Sequence, residues 1–167
     1  MTEMDEFRGA TPKRLVVLSF FLTLLLDFIP LPAPLAYILP EASAIFLIYW
    51  LLHRPQFIGI GAAFLLGLLM DIGTNSALGQ HALAYTVTAF LIQHKQRQIV
   101  LYSFGLQAVA VALALLVCQS VSTLVTLFQQ QQPDWLAIGL PPLFAGLIWP
   151  LLNKMMLALA HYRRTRS

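Results

Sequence analysis

The sequence predicts an all-α integral membrane protein, a bundle of six transmembrane helices forming one domain over residues 1–167. Three observations carry this prediction. First, the chain is 59% hydrophobic and only 10% charged, whereas a soluble domain carries about 25% charged residues. Second, its apolar residues form successive long runs separated by short junctions. Third, Lys and Arg occur only at every second junction and at the termini. Lipid must therefore cover most of the surface of this protein.

The positions of the basic residues predict both the number of crossings and their orientation. All ten Lys and Arg precede the first apolar run, follow the second or the fourth, or close the chain, and the junctions near 30–41, 73–80 and 129–134 contain none. Cytoplasmic loops of inner-membrane proteins collect Lys and Arg. We therefore expect six membrane crossings, with cytoplasmic N- and C-termini and short tails at about 1–11 and 161–167. The basic pI of about 9.3 then indicates contact with lipid headgroups rather than with nucleic acid.

The first three predicted helices cover about 12–28, 40–53 and 56–72. Pro30, Pro32 and Pro34 cannot continue a helix, because proline lacks an amide donor and crowds the preceding turn. The second helix starts near Pro40, which suits a first-turn position. The alternatives are a start near Leu35 with a kink at Pro40, or a short helix that is tilted among its neighbours. This helix is shorter than the roughly 20 residues that a full span needs.

The last three predicted helices cover about 78–93, 99–128 and 135–160. The fifth is longer than a bilayer requires, so it is either strongly tilted or extends beyond the hydrocarbon. The sixth is predicted to be interrupted at Pro141, Pro142 and Pro150. The connections between helices are too short to form a soluble domain.

Small residues recur on one face of the third helix. Gly59, Ala63 and Gly67 are spaced by four residues, which places them on the same side. Small side chains at this spacing let a second helix approach closely. The common outcome is packing within the chain, and the functional alternative is packing of a partner's transmembrane helix at these three residues.

Asp71 continues the same face at the predicted periplasmic end of the third helix. A carboxylate inside a transmembrane segment is a functional candidate, because its burial is unfavourable without partners. The structural alternative is an acid that caps amides of the following turn. Coupling to a proton or cation would need another ionisable group, and Asp27 and His81 are available, although both fit equally well at the interface. The predicted periplasmic turn contains Asn75, Ser76 and Gly79.

Polar side chains also share one face of the fifth helix. They can hydrogen-bond across helices, each contributing roughly 1 kcal/mol, or they can line a small-molecule cavity, and the sequence leaves both alternatives open. These residues are Gln119, Ser122, Thr123 and Thr126.

Catalytic and metal-binding patterns are not found in the sequence. The four histidines lie at different helix ends and no two are at ligand spacing. Neither a phosphate-binding loop followed by Lys-Ser or Lys-Thr nor a nucleophile elbow occurs. We therefore predict no metal, no cofactor and no enzymatic activity.

Several short segments form a characteristic pattern by their order and spacing. They are Leu47–Trp50, Gly61, Gly67–Asp71, Ser76–Gly79, Ala82–Leu83 and Leu147–Pro150. Together these segments resemble the family of rod shape-determining membrane proteins called MreD, and the resemblance runs from about Leu15 to the basic tail. A departure is the segment 39–42, which reads Leu-Pro-Glu-Ala where relatives often have Arg-Pro followed by an aromatic residue.

This resemblance implies a non-enzymatic inner-membrane scaffold of the machinery that elongates the lateral cell wall. Its implied partners are the bitopic protein MreC, the actin-like MreB filament, the glycosyltransferase RodA and a class B penicillin-binding transpeptidase. The family's fold also looks like the substrate-binding subunits of energy-coupling-factor vitamin transporters, although fold alone does not establish function. The alternative functions are therefore a small-molecule transporter subunit and, ranked below it, a lipid-handling role.

Overall fold

The computed structural model describes residues 13–130, 132 and 135–164, and their side chains except those of residues 33, 34, 137 and 157–164. The described chain consists of six long helices and a single-turn helix at Ala33–Ala36, and it contains no β-strand. The long helices are α1 (Lys13–Asp27), α2 (Ala42–His53), α3 (Ile60–Gly73), α4 (Gln80–Val100), α5 (Phe104–Phe128) and α6 (Leu136–Arg164).

The helix α4 lies at the centre of the bundle. It packs against α2, α3 and α5, while α1 packs on α2 and α6 packs on α5. The starts of α2 and α4 meet where Tyr85 donates a hydrogen bond to Glu41. Their ends meet where Gln96 donates to the carbonyl oxygen of Leu52, at 2.8 Å. These two helices therefore run in the same direction, and the junctions α1–α2 and α3–α4 lie at the same end of the bundle.

The charged residues separate between the two ends. The end where α2 and α4 begin carries every described Asp and Glu, namely Asp27, Glu41 and Asp71, and we call it the acidic end. The opposite end, the basic end, carries every described Lys and Arg: Lys13, Arg14, Arg54, Lys95, Arg97, Lys154, Arg163 and Arg164. This separation agrees with the alternation in the sequence, and the acidic end is the one that we predict to be periplasmic.

Large apolar side chains face outward along the helices. Leu147 is 75% exposed, Val17 69% and Ile72 64%, whereas a soluble monomer rarely exposes apolar patches larger than a few hundred Å². Among the described residues, α5 is the helix whose length and hydropathy suffice to cross a membrane, and α2 and α3 are shorter apolar helices. The fold is thus that of a helical membrane protein, and six crossings stay a prediction.

Two predicted helix boundaries at the basic end are wrong. The helix α4 continues to Val100 rather than ending near Gln93, and α5 begins at Phe104 rather than Ile99. The polar segment 94–98 lies between the two predicted helices. Its residues favour helix, however, and Ile99 is buried in the core, so packing extends the helix.

The first two junctions also differ from the prediction. The helix α2 begins at Ala42, so Pro40 is not in its first turn, and the alternative start near Leu35 is wrong because the helix at Ala33–Ala36 is separate. The helix α3 begins at Ile60 rather than near residue 56. The preceding residues instead form a turn in which Phe57 N–H donates to the Arg54 carbonyl oxygen at 3.0 Å.

The last helix runs without interruption through Pro141, Pro142 and Pro150, so the predicted break is wrong. Membrane helices tolerate proline where neighbouring helices and local adjustments satisfy the freed carbonyl groups, and α6 packs along α5. The helix continues to Arg164, so the tail predicted from residue 161 is helical in its first part. The tail predicted at 1–11 lies outside the described residues.

Candidate functional site

Asp71 caps the start of the next helix with its carboxylate. Oδ1 accepts hydrogen bonds from the His81 amide at 2.7 Å and the Ser76 hydroxyl at 3.1 Å. Oδ2 accepts from the amides of Gly79 at 2.8 Å and Ala82 at 3.3 Å. The first amides of a helix lack partners within the helix, and this carboxylate satisfies three of them at the start of α4. Asp71 therefore orders the α3–α4 turn, which is the structural alternative given for it above.

The turn between α3 and α4 has a backbone suited to its residues. Asn75 adopts a left-handed conformation with φ of 54°, and Gly79 has φ of 101°. Asparagine tolerates this region better than other non-glycine residues, and glycine adopts it without strain. The Ser76 amide donates to the carbonyl oxygen of Asp71 at 3.1 Å. All three predicted turn residues thus form the loop that Asp71 organises.

His81 joins two carboxylates from different helices. Its Nδ1 lies 2.9 Å from Asp71 Oδ1, and its Nε2 lies 3.4 Å from Glu41 Oε1. A neutral imidazole carries one N–H donor, whereas an imidazolium carries two. Both contacts are therefore donor–acceptor pairs only in the imidazolium form. This side chain links the end of α3, the start of α4 and the residue before α2.

Tyr85 extends this polar cluster one turn further along α4. Its hydroxyl donates to Glu41 Oε2 at 2.6 Å and lies 2.8 Å from the Ser43 hydroxyl. Burial by itself would raise the pKa of the Glu41 carboxyl, but the hydrogen bond and positive charge of His81 and the hydrogen bond from Tyr85 outweigh it, so this pKa lies below its ordinary value. Glu41 is therefore a charged contact between α2 and α4.

Asp27 repeats the capping arrangement at the α1–α2 junction. Its Oδ1 accepts from the Ala42 amide and its Oδ2 from the Ser43 amide, both at 2.8 Å. These are the first two amides of α2. At the acidic end, the last residues of α1 and the end of α3 thus supply the caps of the helices that follow them.

A cavity of about 360 Å³ opens between these two junctions. Its apolar walls come from the end of α1, the proline-rich junction and Met70. The polar residues lining it are Asp27, Glu41, Thr74, Ser76 and His81. The cavity thus brings together polar residues from two junctions that are far apart in the sequence.

The small-residue face of α3 packs against α4 within this chain. Ala63 is fully buried, and a Cβ at Gly67 would lie 2.5 Å from the Ala82 Cα atom. A Cβ at Gly59, just before α3, would contact the Gln93 side chain at 3.8 Å. The close approach is therefore intramolecular, the first of the two alternatives given above.

The polar face of α5 is also used in part within the bundle. Gln80 Nε2 donates to the buried Ser122 hydroxyl at 2.9 Å, which ties the start of α4 to α5. Thr126 donates to the carbonyl oxygen of Ser122 at 3.2 Å. Gln119 and Thr123 lie half-buried on the same face. None of these four residues lines the cavity at the acidic end.

Sequence reasoning missed the contacts of Glu41 and Tyr85. The sequence places Glu41 only in the junction 30–41 and in the segment that departs from the family pattern, and it predicts no role for Tyr85. A usable signal was present: His81 and Tyr85 are four residues apart and so share a helix face, next to an acid in an otherwise apolar chain. Among the described residues, no group of three or more His, Cys, Asp and Glu could hold a metal ion.

These features define a small helical membrane protein whose polar and acidic groups converge at one end. The family model for the rod shape-determining protein MreD matches residues 11–159. A relative from Haemophilus influenzae, the rod shape-determining protein MreD, is 30% identical over 142 residues, which cover 84% of this chain and 87% of the relative. No solved structure matches the chain. The chain belongs to the MreD family, as its resemblance indicated, and the similarity to vitamin-transporter subunits stays a prediction.

Proposed function

We propose that this protein is a non-enzymatic scaffold subunit of the complex that elongates the lateral cell wall, in the bacterial inner membrane. It would bind an MreC-like bitopic protein directly and, through the wider complex, an MreB filament, RodA and a class B penicillin-binding transpeptidase. Membership of a rod shape-determining family supports this proposal. The mechanism is positioning of partners, without bond-making.

The observation that carries this proposal is the internal use of the acids at the acidic end. Asp27 and Asp71 each accept hydrogen bonds from backbone amides at the start of the following helix. Glu41 accepts a hydrogen bond from the Tyr85 hydroxyl. A catalytic acid or base must reach the reacting group of its substrate. Groups that hold four helix ends together are better suited to keeping a surface rigid.

The proposed partner surface is the exposed part of the junctions at the acidic end. A partner helix on the face of Gly59, Ala63 and Gly67 would have to displace α4, because Ala63 is fully buried and Gly67 lies against the α4 backbone. Described side chains in the segments 30–41 and 73–80 remain accessible: Leu31 is 45% exposed and Leu78 is 74% exposed. We therefore assign the contact with the MreC-like protein to these junctions.

Affinity purification in mild detergent, followed by mass spectrometry, tests this assignment. The tagged wild-type chain should recover an MreC-like bitopic protein and a wall transpeptidase. Leu78→Glu should reduce this recovery at least tenfold, because it places a charge in the proposed contact. Leu101→Glu is the matched control, since Leu101 is 85% exposed at the basic end. Equal recovery by both variants, or no wall protein with the wild type, would contradict the proposal.

A second candidate function is the substrate-binding subunit of a small-molecule transporter. The specific observation that favours it is the cavity of about 360 Å³ with polar groups at the acidic end. The same purification separates the candidates. A coupling ATPase module, or a tightly held vitamin-like ligand in the absence of wall proteins, would support the transporter.

The proposed orientation places the acidic end in the periplasm and both termini in the cytoplasm. Single cysteines test it in a Cys118→Ala background, which removes the buried native thiol. A membrane-impermeant maleimide should label Asn75→Cys in intact spheroplasts and Gln98→Cys only after lysis, since both positions are exposed at opposite ends. The reverse pattern would overturn the orientation.

A further inference from the structure

The cavity at the acidic end has the size and lining of a ligand site. Its volume of about 360 Å³ falls within the roughly 300–1,000 Å³ typical of small-molecule sites, which are mainly apolar with a few convergent polar groups. Leu31, Leu39 and Met70 contribute apolar wall, and Asp27 and Glu41 contribute carboxylates. This combination suits an amphiphilic ligand.

The charge of the lining is negative in either state of His81. Two carboxylates, Asp27 and Glu41, line the cavity, and the imidazole of His81 is the one side chain in the lining that can carry a positive charge. The sum is therefore −1 or −2, and no described Lys or Arg lies at this end of the bundle. An anionic ligand would meet repulsion, and a cationic ligand would be attracted.

The carboxylates retain acceptor capacity for such a ligand. Each Asp27 oxygen accepts one amide hydrogen bond, whereas an ionised carboxylate offers about four acceptor sites. The Glu41 side chain is 26% exposed. An ammonium group presents three donors, which the carboxylates and the Thr74 and Ser76 hydroxyls can match.

We propose that this cavity binds a primary ammonium group carried on a short apolar stem, with the ammonium at Asp27 and Glu41 and the stem against Leu31, Leu39 and Met70. This inference does not depend on the scaffold function proposed above. The same chemistry occurs in free small amines and in a lysine side chain presented by a partner.

Calorimetric titration of the full chain in phosphatidylcholine nanodiscs tests this binding, since a lipid of zero net charge avoids attracting the probe. The probe is n-hexylammonium, and n-hexanol and hexanoate are the matched neutral and anionic probes. We expect n-hexylammonium to bind at least tenfold more tightly than either. Equal binding of n-hexanol would show that the probe only partitions into an apolar space. Tighter binding of hexanoate would show that the cavity prefers an anion. Either result overturns the proposal.

Two leucine variants locate the binding without changing any charge. Leu39→Trp fills the cavity and should weaken n-hexylammonium binding at least tenfold. Leu35→Trp is the matched control, because Leu35 lies in the same junction with similar exposure, 45% against 40%, but does not line the cavity. Unchanged binding by Leu39→Trp, or equal losses in both variants that elute as folded protein, would overturn the assignment.

Glu41→Gln removes one carboxylate and keeps the side-chain shape. It should reduce the preference for n-hexylammonium over n-hexanol by about tenfold, and an unchanged preference would contradict the role of Glu41.

Titration with N-acetyl-lysine amide then shows whether the ammonium group comes from a partner's lysine side chain or from a free amine. N-acetyl-norleucine amide is the uncharged control. Selective binding of the lysine amide supports a partner's side chain, and binding of n-hexylammonium alone supports a free amine.

Discussion

The two junctions at the acidic end use the same capping device with different surroundings. At the α3–α4 junction, the Asp71 side chain is fully buried and also contacts the His81 ring. At the α1–α2 junction, Asp27 caps two amides but stays partly exposed and lines the cavity. One carboxylate is enclosed by its loop, and the other remains accessible to a ligand.

The difference follows from the loops. Residues 74–79 form a six-residue turn next to Asp71. The Ser76 hydroxyl in this turn donates a hydrogen bond to the Asp71 carboxylate. Residues 28–41 number fourteen and contain a separate helical turn. Their prolines prevent a continuous helix, and residues of this segment line the cavity together with Asp27. The comparison teaches that a short loop encloses the capping acid, whereas a long proline-rich loop leaves space beside it.

Among the substitutions that test the two junctions, Asp71→Ala should lower the stability of the protein most. It removes the acceptor of three helix amides and one partner of a buried His81 contact. Breaking a buried ionic contact by removing one partner lowers the free energy of unfolding by about 4 kcal/mol. Thermal unfolding in detergent measures the loss, and recovery of the MreC-like partner should fall with it. Asp71→Asn keeps one acceptor oxygen and should lose less, whereas wild-type stability of Asp71→Ala would refute the capping role.

Gly67→Ala should have the next largest effect, because it separates α3 from the start of α4. The added Cβ would lie 2.5 Å from the His81 carbonyl oxygen and from the Ala82 Cα. Overpacking against backbone lowers stability by about 2 kcal/mol. Gly61→Ala is the control on the same helix, where a Cβ meets nothing within 4 Å. Similar melting temperatures for the two variants would show that the close approach is not required.

Asp27→Ala should destabilise the protein less than Asp71→Ala does. The change removes the acceptor of two amides at the start of α2, and loss of a helix cap lowers stability by about 1 kcal/mol. The same thermal measurement on Asp27→Ala and Asp71→Ala compares the two junctions directly. A loss at Asp27 as large as that at Asp71 would mean that enclosure by the loop adds nothing to the cap.

Glu41→Gln should have the smallest effect on stability, and this effect should depend on pH. The pKa of Glu41 in the folded protein lies below the ordinary value of 4.5. A group with a lowered folded pKa contributes stability above the unfolded value and loses it as the pH falls through the folded value. The difference in melting temperature between wild type and Glu41→Gln should therefore shrink as the pH falls below about 4.5. A difference that grows toward acid pH would contradict this sign.

Individual residues show how far the sequence could predict the site. The cap by Asp71 was predictable as an alternative, because an acid at a helix end before an Asn-Ser turn has a local function. Burial of Ala63 and Gly67 was predictable from their spacing, but the identity of the helix against them was not. The contact of Glu41 with His81 joins residues forty positions apart, and only helix packing brings such residues together.

By itself, the sequence determined the all-helical fold class, the six apolar segments, the separation of charge and the family. These properties depend on composition and on local period, which a chain carries regardless of how it packs. The tertiary structure decided the limits of α4 and α5, the continuity of α6 and the closing of the polar cluster. Each of these depends on contacts between distant segments, such as Gln96 with Leu52 and Tyr85 with Glu41. The physical reason is that buried polar groups take whichever partners the packing offers, and local sequence does not specify that packing.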